Sequence, residues 1–134
     1  TPMEIYDDPK DQFVAGFIGS PAMNFLDCEV SDKSITIGQE SIATPAHVNQ
    51  RGKLVLGIRP EHFNQSASDL QGTVQMIEKL GSNLLLYIKM ENSEQPVVIQ
   101  CDSQSDVKIG DKHTFSFNLE RLYFFDTNTQ QRIY

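Results

Sequence analysis

The stretch LGIRPEHF at residues 56–63 places Arg59, Glu61 and His62 around a proline. A histidine beside a carboxylate could take part in general acid–base catalysis or bind a metal ion. Pro60 fixes its own φ and favours an extended conformation at Arg59, so the spacing predicts a strand end followed by a turn or short helix. Adjacent side chains in that geometry do not converge on one atom, which argues against either chemistry.

Little elsewhere in the chain complements this cluster. A metal site needs three or four ligands, yet His47 and His113 lie in separate loops without an H-x-x-x-H spacing. Ser20 precedes a proline and belongs to no G-x-S-x-G elbow, and no G-x-x-x-x-G-K-[ST] phosphate-binding loop is present. We therefore interpret Arg59 and Glu61 as structural, one pairing with a strand and one capping a turn, or as part of a partner-binding surface.

Two further segments carry candidate residues for an interface. In EKLGSN, Glu78 and Lys79 precede Gly81, which tolerates a positive φ, so a solvated turn is expected there. The run Tyr123-Phe124-Phe125 is expected to alternate between the two faces of a strand and to pack in the core. An exposed aromatic side chain in that run would instead indicate a protein interface.

Composition limits the function classes. The net charge of −7 argues against nucleic acid as a partner, because binding to phosphates depends on Lys and Arg. The longest apolar run, Leu84 to Ile88, suits a buried strand and is far too short to span a bilayer. Cys28 and Cys101 are distant in sequence, which favours buried thiols in a reducing compartment.

The elements that must position these residues are of two kinds. Residues 1–21 carry helix-start signals and an apolar stripe that predict a short helix, ended by Gly19 and Pro21. The stripe consists of Phe13, Val14, Phe17 and Ile18. Residues 22–134 alternate short apolar segments with turn signals, which predicts nine or ten strands in a sandwich or small barrel. A five-stranded barrel of the OB type, possibly doubled into two small lobes, fits that strand count.

Several segments resemble one family, the ATPases of ABC-class importers. Residues 1–25, TPMEIYDDPKDQFVAGFIGSPAMNF, are similar to the seam between the nucleotide-binding domain and the C-terminal regulatory domain. LGIRPEH at 56–62, GTVQMIEKLGSN at 72–83 and LYFFDTNTQQRI at 122–133 resemble segments of that regulatory domain. The similarity is greatest to the branch that imports maltose, glycerol 3-phosphate and other carbohydrates. This chain departs from the pattern at Asn83, where an acidic residue is usual, and at Gln130, where glycine is usual.

The resemblance implies a domain division and a regulatory role. Residues 1–21 would be the end of the ATPase domain and a linker helix, and residues 22–134 an all-β, OB-like regulatory domain of the TOBE type. The implied role is regulation and dimerisation, with ATP and Mg²⁺ bound by the parent protein and no cofactor or catalytic residue in these 134 residues. Candidate interface or regulatory residues are Phe13, Phe17, Arg59, Glu61, Glu78, Gly81 and Phe125.

The implied partners are the chain's own ATPase domain, a second copy of the subunit, the membrane permease subunits and a regulatory protein. The implied location is the cytoplasmic face of the cell membrane. Two alternatives from other classes stay open at this stage. One is a sensor of small ligands or oxyanions, because OB-like barrels commonly bind at one face, and the other is an independent nucleic-acid-binding OB domain.

Overall fold

The computed structural model describes residues 22–91, 93 and 96–134. The predicted N-terminal helix, with Phe13 and Phe17, lies outside the described residues. Ten strands occupy the described part: β1 (Asn24–Val30), β2 (Ser34–Ile37), β3 (Glu40–Ala43), β4 (Gly52–Ile58), β5 (Phe63–Asn64), β6 (Leu70–Leu80), β7 (Asn83–Met90), β8 (Val97–Asp102), β9 (Lys112–Phe117) and β10 (Tyr123–Asp126). Two 3-10 helices, η1 (Pro60–His62) and η2 (Leu119–Arg121), complete it. Neither has the length and hydropathy to cross a membrane, and no other described segment is a membrane-spanning helix.

The strands form two five-stranded sheets in which every strand pair is antiparallel. The first sheet has the order β10-β4-β1-β2-β3, and the second has the order β5-β9-β6-β7-β8. The chain leaves the first sheet through η1, builds the whole second sheet, and returns through η2 to add β10. This architecture confirms the prediction of an all-β, OB-like assembly.

Alternating burial explains why the segments form strands. In β1 the side chains of Leu26, Cys28 and Val30 are buried, whereas Asp27 and Glu29 between them are exposed. Successive side chains of a strand point to opposite faces, so this pattern buries one face and leaves the other to solvent. The strands that could be predicted from the sequence are those whose apolar residues alternate in this way or run together.

The two sheets share one hydrophobic core. Leu56 and Ile58 of the first sheet belong to the same buried cluster as Ile88 and Phe115 of the second. Strand β4, between β10 and β1, is buried on both faces, because its other face contributes Val55 to a second, smaller cluster on the far side of the first sheet. The lobes are therefore held together by continuous apolar packing.

Details of the strands differ from the sequence-based expectation. The short strands β3 and β5 were not predicted, since β3 has one buried apolar side chain, Ile42, and β5 has two residues. The turn expected in EKLGSN is a two-residue loop, because β6 continues to Leu80, which pairs with Asn83. Gly81 in that loop has a φ of 54°, as its expected role requires.

Candidate functional site: the junction between the two sheets

The stretch around Arg59 is the connection between the sheets. Ile58 ends β4, Arg59 is extended with φ −73° and ψ 146°, and Pro60 begins η1. The His62 amide donates to the Arg59 carbonyl at 2.9 Å, which closes this turn. The expected strand end followed by a short helix is therefore confirmed, and η1 packs against β8 of the second sheet.

Burial distinguishes Arg59 from the other charged residues described. Its side chain is fully buried, with 0% relative exposure, and it is the largest side chain in that class. Burying a guanidinium without partners costs several kcal/mol. Arg59, Glu61 and His62 each have an interaction partner. Their location at the sheet crossing fits the structural role expected of them.

The two crossings of the chain contact each other. The amide of Asn118, the residue before η2, donates to the carbonyl of His62 at the end of η1 at 2.9 Å. Asn118 also caps η2, because its side-chain oxygen accepts from the Glu120 amide at 3.2 Å. His47 approaches the same helix, with Nε2 2.9 Å from the Leu119 carbonyl oxygen. Both connections between the lobes thus form one hydrogen-bonded unit.

Asn24 links the sheets at β8 and was missed by the sequence analysis. Its Nδ2 donates to the carbonyl of Val98 in β8 at 2.8 Å and to that of Ile58 at 3.2 Å. Its Oδ1 accepts from the Val98 amide at 2.8 Å. The residue is 7% exposed, and buried asparagine without partners is costly. The only sequence signal was a polar residue on the face of β1 that otherwise carries Leu26, Cys28 and Val30.

We define the junction as Asn24, Arg59, η1 and Val98. Among the described residues no three His, Cys, Asp or Glu side chains are grouped so that they could hold a metal ion. The histidines are spread over three regions, because His47 approaches η2, His62 ends η1 and His113 contacts Gln65 with Nε2 3.0 Å from Oε1. Partial burial lowers the pKa of His113, which favours its neutral form. The junction therefore connects the first sheet to the second through the Asn24 hydrogen bonds to Val98 and the contact of η1 with β8.

The hairpin residues lie away from this junction, at the tip formed by β6 and β7. Glu78 is exposed, and its Oε1 accepts a hydrogen bond from the Tyr87 hydroxyl at 3.3 Å. Burial above all, and then the adjacent carboxylate and that hydrogen bond, raise the pKa of Tyr87. Glu78 therefore lies on a strand face beside the turn at Gly81. Met76 and Leu80 on the same strand are 47% and 43% exposed.

Phe125 lies in the second apolar cluster. It contacts Phe25 edge to face, with ring centroids 5.8 Å apart, and shares the cluster with Met23, Val55 and Tyr123. All three residues of the Tyr123-Phe124-Phe125 run are buried, because each face of β10 meets an apolar cluster. None of them is exposed as a docking aromatic, so the expectation of core packing is met.

A cleft opens between the lobes near β3 and β6. It has a volume of about 380 Å³ and is lined by Glu40, Gln71, Gly72, Thr73, Lys89, Met90, Glu91 and Lys112. Lys89 Nζ donates to the Met90 carbonyl at 3.0 Å and also to the Ser93 carbonyl, so its ammonium is held by the backbone. Two lysines and two glutamates give the cleft both charge signs.

The buried cysteines carry no reactive site. Both thiols are free and buried, as the sequence suggested. Burial, with a smaller contribution from the Asp27 carboxylate, raises the pKa of Cys28 to about 12. A thiol with that pKa remains protonated at neutral pH and is a poor nucleophile.

Part of the junction, Arg59 with η1, lies where two family matches overlap. Residues 19–63 match the family described as the MalK OB fold domain, and residues 56–125 match the TOBE domain family. The two matches share residues 56–63, the stretch that carries Arg59 and η1. The chain belongs to the TOBE domain family.

Curated relatives match nearly the whole chain. The sn-glycerol-3-phosphate import ATP-binding protein UgpC of Psychromonas ingrahamii is 38% identical over 99% of this chain and 38% of its own length. The oligosaccharides import ATP-binding protein MsmX of Bacillus subtilis is 32% identical over 99% of this chain and 40% of its own length. UgpC of Paracoccus denitrificans is 35% identical over 99% of this chain and 38% of its own length. The chain thus spans about two fifths of the length of these relatives, and the resemblance to importer ATPases is confirmed.

Proposed function

We propose that this chain is the regulatory and dimerisation module of the ATP-binding subunit of an ABC-type importer for a sugar or sugar phosphate. The observation that carries the proposal is the alignment of 99% of the chain with import ATP-binding proteins for glycerol 3-phosphate and oligosaccharides. The family matches assign residues 19–63 to the MalK OB fold domain and residues 56–125 to the TOBE domain. The 134 residues contain no phosphate-binding loop, so ATP and Mg²⁺ would be bound elsewhere in the parent subunit.

The domain division and partners are part of this proposal. Residues 1–21 would be the end of the ATPase domain with its linker helix, and residues 22–134 the regulatory domain. The parent would work with a second copy of itself and with permease subunits at the cytoplasmic face of the membrane. A regulatory protein would be a further partner. Phe13 and Phe17 would contact the ATPase domain.

The junction suits a module that transmits force. Because Arg59 is buried, Asn24 bonds across to β8, and the two crossings are bonded through His62 and Asn118, the two sheets are expected to move as one body. A contact at either lobe would therefore displace the other. Arg59 and Glu61 would fix the relative position of the lobes, and Phe125 would support β10, without touching ATP.

A segment exchange tests this function. The segment of Psychromonas ingrahamii UgpC that aligns with this chain would be replaced by these 134 residues, and glycerol 3-phosphate uptake measured in cells lacking their own UgpC. We expect uptake above that of a truncated UgpC without the segment. The same exchange carrying Asn24→Leu should lose uptake, and the exchange carrying Asn64→Ala is the matched control that should keep it. Uptake no better than the truncation would contradict the proposal.

The cleft supports a second candidate function, the sensing of a small charged ligand. Its lysines could bind a phosphate or carboxylate, while Glu40 and Glu91 would select for a ligand that also carries hydroxyl or ammonium donors. Thermal-shift titration of the chain with sugars, sugar phosphates and oxyanions tests this, with Lys112→Ala as the comparison. A shift that disappears in the variant supports a sensor, and an unchanged melting temperature across the series contradicts it.

A further inference from the structure

Hydrogen bonds protect an outer edge of each sheet, at β8 and at β10. At β8 the amide and carbonyl of Val98 are both occupied by the Asn24 side chain, and the Gln100 carbonyl accepts from Gln65 Nε2 at 3.2 Å. At β10 the Ile133 amide donates to the Phe124 carbonyl at 2.8 Å. Unprotected strand edges attract other strands, so such capping prevents unwanted pairing.

The far end of β6 lacks this protection within the described residues. Val74 is occupied, because its amide donates to the Asp111 carbonyl at 2.9 Å and its carbonyl accepts from the Gly110 amide at 2.8 Å. Pairing of β6 with β9 ends at Thr73, and a register shift follows Val74. No described strand lies beside β6 from residue 75 to residue 80 on that side.

The hydrogen-bonding groups at this edge can be assigned. Leu80 and Asn83 flank a two-residue loop, so they form a hydrogen-bonded pair, and so do the pairs two and four residues further along. Met76, Glu78 and Leu80 therefore direct their backbone groups at β7. The amides and carbonyls of Ile77 and Lys79 point away from β7, to the open edge.

We propose that this edge of β6 is a strand-addition site for an extended segment of a partner protein. Strand addition draws affinity from backbone hydrogen bonds and specificity from alternate side chains. The exposed face offers Met76, Glu78 and Leu80, and the other face offers Ile77 and Lys79. A complementary antiparallel segment has an acidic residue opposite Lys79, followed by a basic residue opposite Glu78. Apolar residues lie on either side of this charged pair.

Charge argues against a second copy of this chain as the occupant. If β6 pairs with β6 of a second copy about a twofold axis, the residues whose backbone groups face the edge must lie opposite one another. These residues are Ile77 and Lys79. Aligning Ile77 with Lys79 of the copy sets Glu78 opposite Glu78, and aligning Lys79 with itself sets two lysines together, which is destabilising. Aligning Ile77 with itself carries the copy's strand into the register shift at Gln75. The edge therefore selects a different chain.

The probe is the blocked peptide Val-Glu-Arg-Val-Val, added to the 134-residue chain and followed by amide NMR and hydrogen exchange. We expect exchange at Ile77 and Lys79 to slow by about tenfold at saturation, with Glu78 and Leu80 unchanged because they already bond to β7. The peptide Val-Arg-Glu-Val-Val, which reverses the charges, should bind about tenfold more weakly. Absence of binding at millimolar peptide, equal response to both peptides, or uniform protection along β6 would overturn the proposal.

Variants separate the backbone contribution from side-chain adhesion. Lys79→Pro removes one outward amide and no bond to β7, so it should weaken peptide binding about tenfold, whereas Lys79→Ala should keep about a third of it or more. Full binding by Lys79→Pro would overturn strand addition. If that variant does not fold, the alternating exchange pattern in the unmodified chain remains the deciding result. Protection of Ile77 and Lys79 that depends on protein concentration without peptide would overturn the choice of a different chain and assign the edge to a second copy.

Discussion

The side chain of Asn24 takes the place of a neighbouring strand at Val98. Its amide donates to the Val98 carbonyl and its oxygen accepts from the Val98 amide, both at 2.8 Å, although the residues are 74 positions apart in sequence. One side chain thus caps the outer edge of β8 and ties the first sheet to the second. The third bond, to the Ile58 carbonyl, anchors the same amide at the end of β4.

Asn24→Leu should destabilise the domain by about 2–4 kcal/mol, because two backbone carbonyls and one amide lose their partner in a buried setting. Urea unfolding followed by circular dichroism measures the change. Asn64→Ala is the matched control: it removes an exposed bond to the Ser66 amide, at 3.0 Å, and should cost less than about 1 kcal/mol. Equal effects of the two variants would contradict the role of Asn24 as a link.

Arg59→Ala should lower the free energy of unfolding by about 3–5 kcal/mol. The substitution leaves a cavity, and the groups that interact with the buried guanidinium lose their partner. Arg51→Ala provides the comparison. Arg51 pairs with Asp32, Nε to Oδ1 at 2.9 Å, but both side chains are exposed, and such pairs contribute about 0–1 kcal/mol. The contrast between the two arginines, measured by urea unfolding, is the test, and a loss at Arg59 no larger than at Arg51 would refute it.

Gly57→Ala should destabilise by about 1–3 kcal/mol through overpacking. A β-carbon at this position would lie 2.7 Å from Met23 Sδ and 2.8 Å from Phe125 Cε2. Combining it with Phe125→Leu should recover part of the loss, so a double-mutant cycle of unfolding free energies would show favourable coupling. Strict additivity of the two changes would mean that the contact with Phe125 does not limit the packing.

Gln130→Gly should raise stability by about 0.5–1 kcal/mol, because Gln130 has a φ of 62°, a left-handed conformation in which a side chain is strained and glycine is not. Gly81→Ala, at a φ of 54°, should lower stability by about 1 kcal/mol for the same reason. Thermal melting of both variants gives the pair of opposite shifts, and shifts of the same sign would be inconsistent with the backbone argument.

The Cys28 thiol should be inert in the native state and should reduce stability at high pH. Its folded pKa of about 12 lies above the unfolded value of 9.0, so its contribution is full below pH 9 and is lost as pH rises towards 12. Urea unfolding from below pH 9 to pH values approaching 12 would show a smaller decline in Cys28→Ala than in the unmodified chain. A thiol reagent at neutral pH should label Cys28 only after unfolding, and rapid native labelling would contradict its burial.

Much of the strand pattern was accessible from local sequence, and the exceptions share one cause. β1, β4 and β7 were predicted because their apolar residues alternate or run together, which is a local property. β3 and β5 were missed because each is defined by a neighbour's hydrogen bonds.

At the closing turn glycine is usual and Gln130 stands instead, yet the left-handed backbone is kept, because the Gln130 amide bonds to the Asp126 carbonyl at 2.9 Å.

The all-β class, the turn at Gly81, the strand end at Arg59 and the family all follow from the amino-acid order, because periodicity, proline and extended motifs are local. Three-dimensional packing was needed to establish that Arg59 is fully buried, that Asn24 bonds to β8, and that Ile77 and Lys79 face an edge beside which no described strand lies. These features depend on which strands become neighbours across two crossings of the chain. Neighbours so distant in sequence leave no periodic signal, since burial and hydrogen bonding arise only when both sheets have packed.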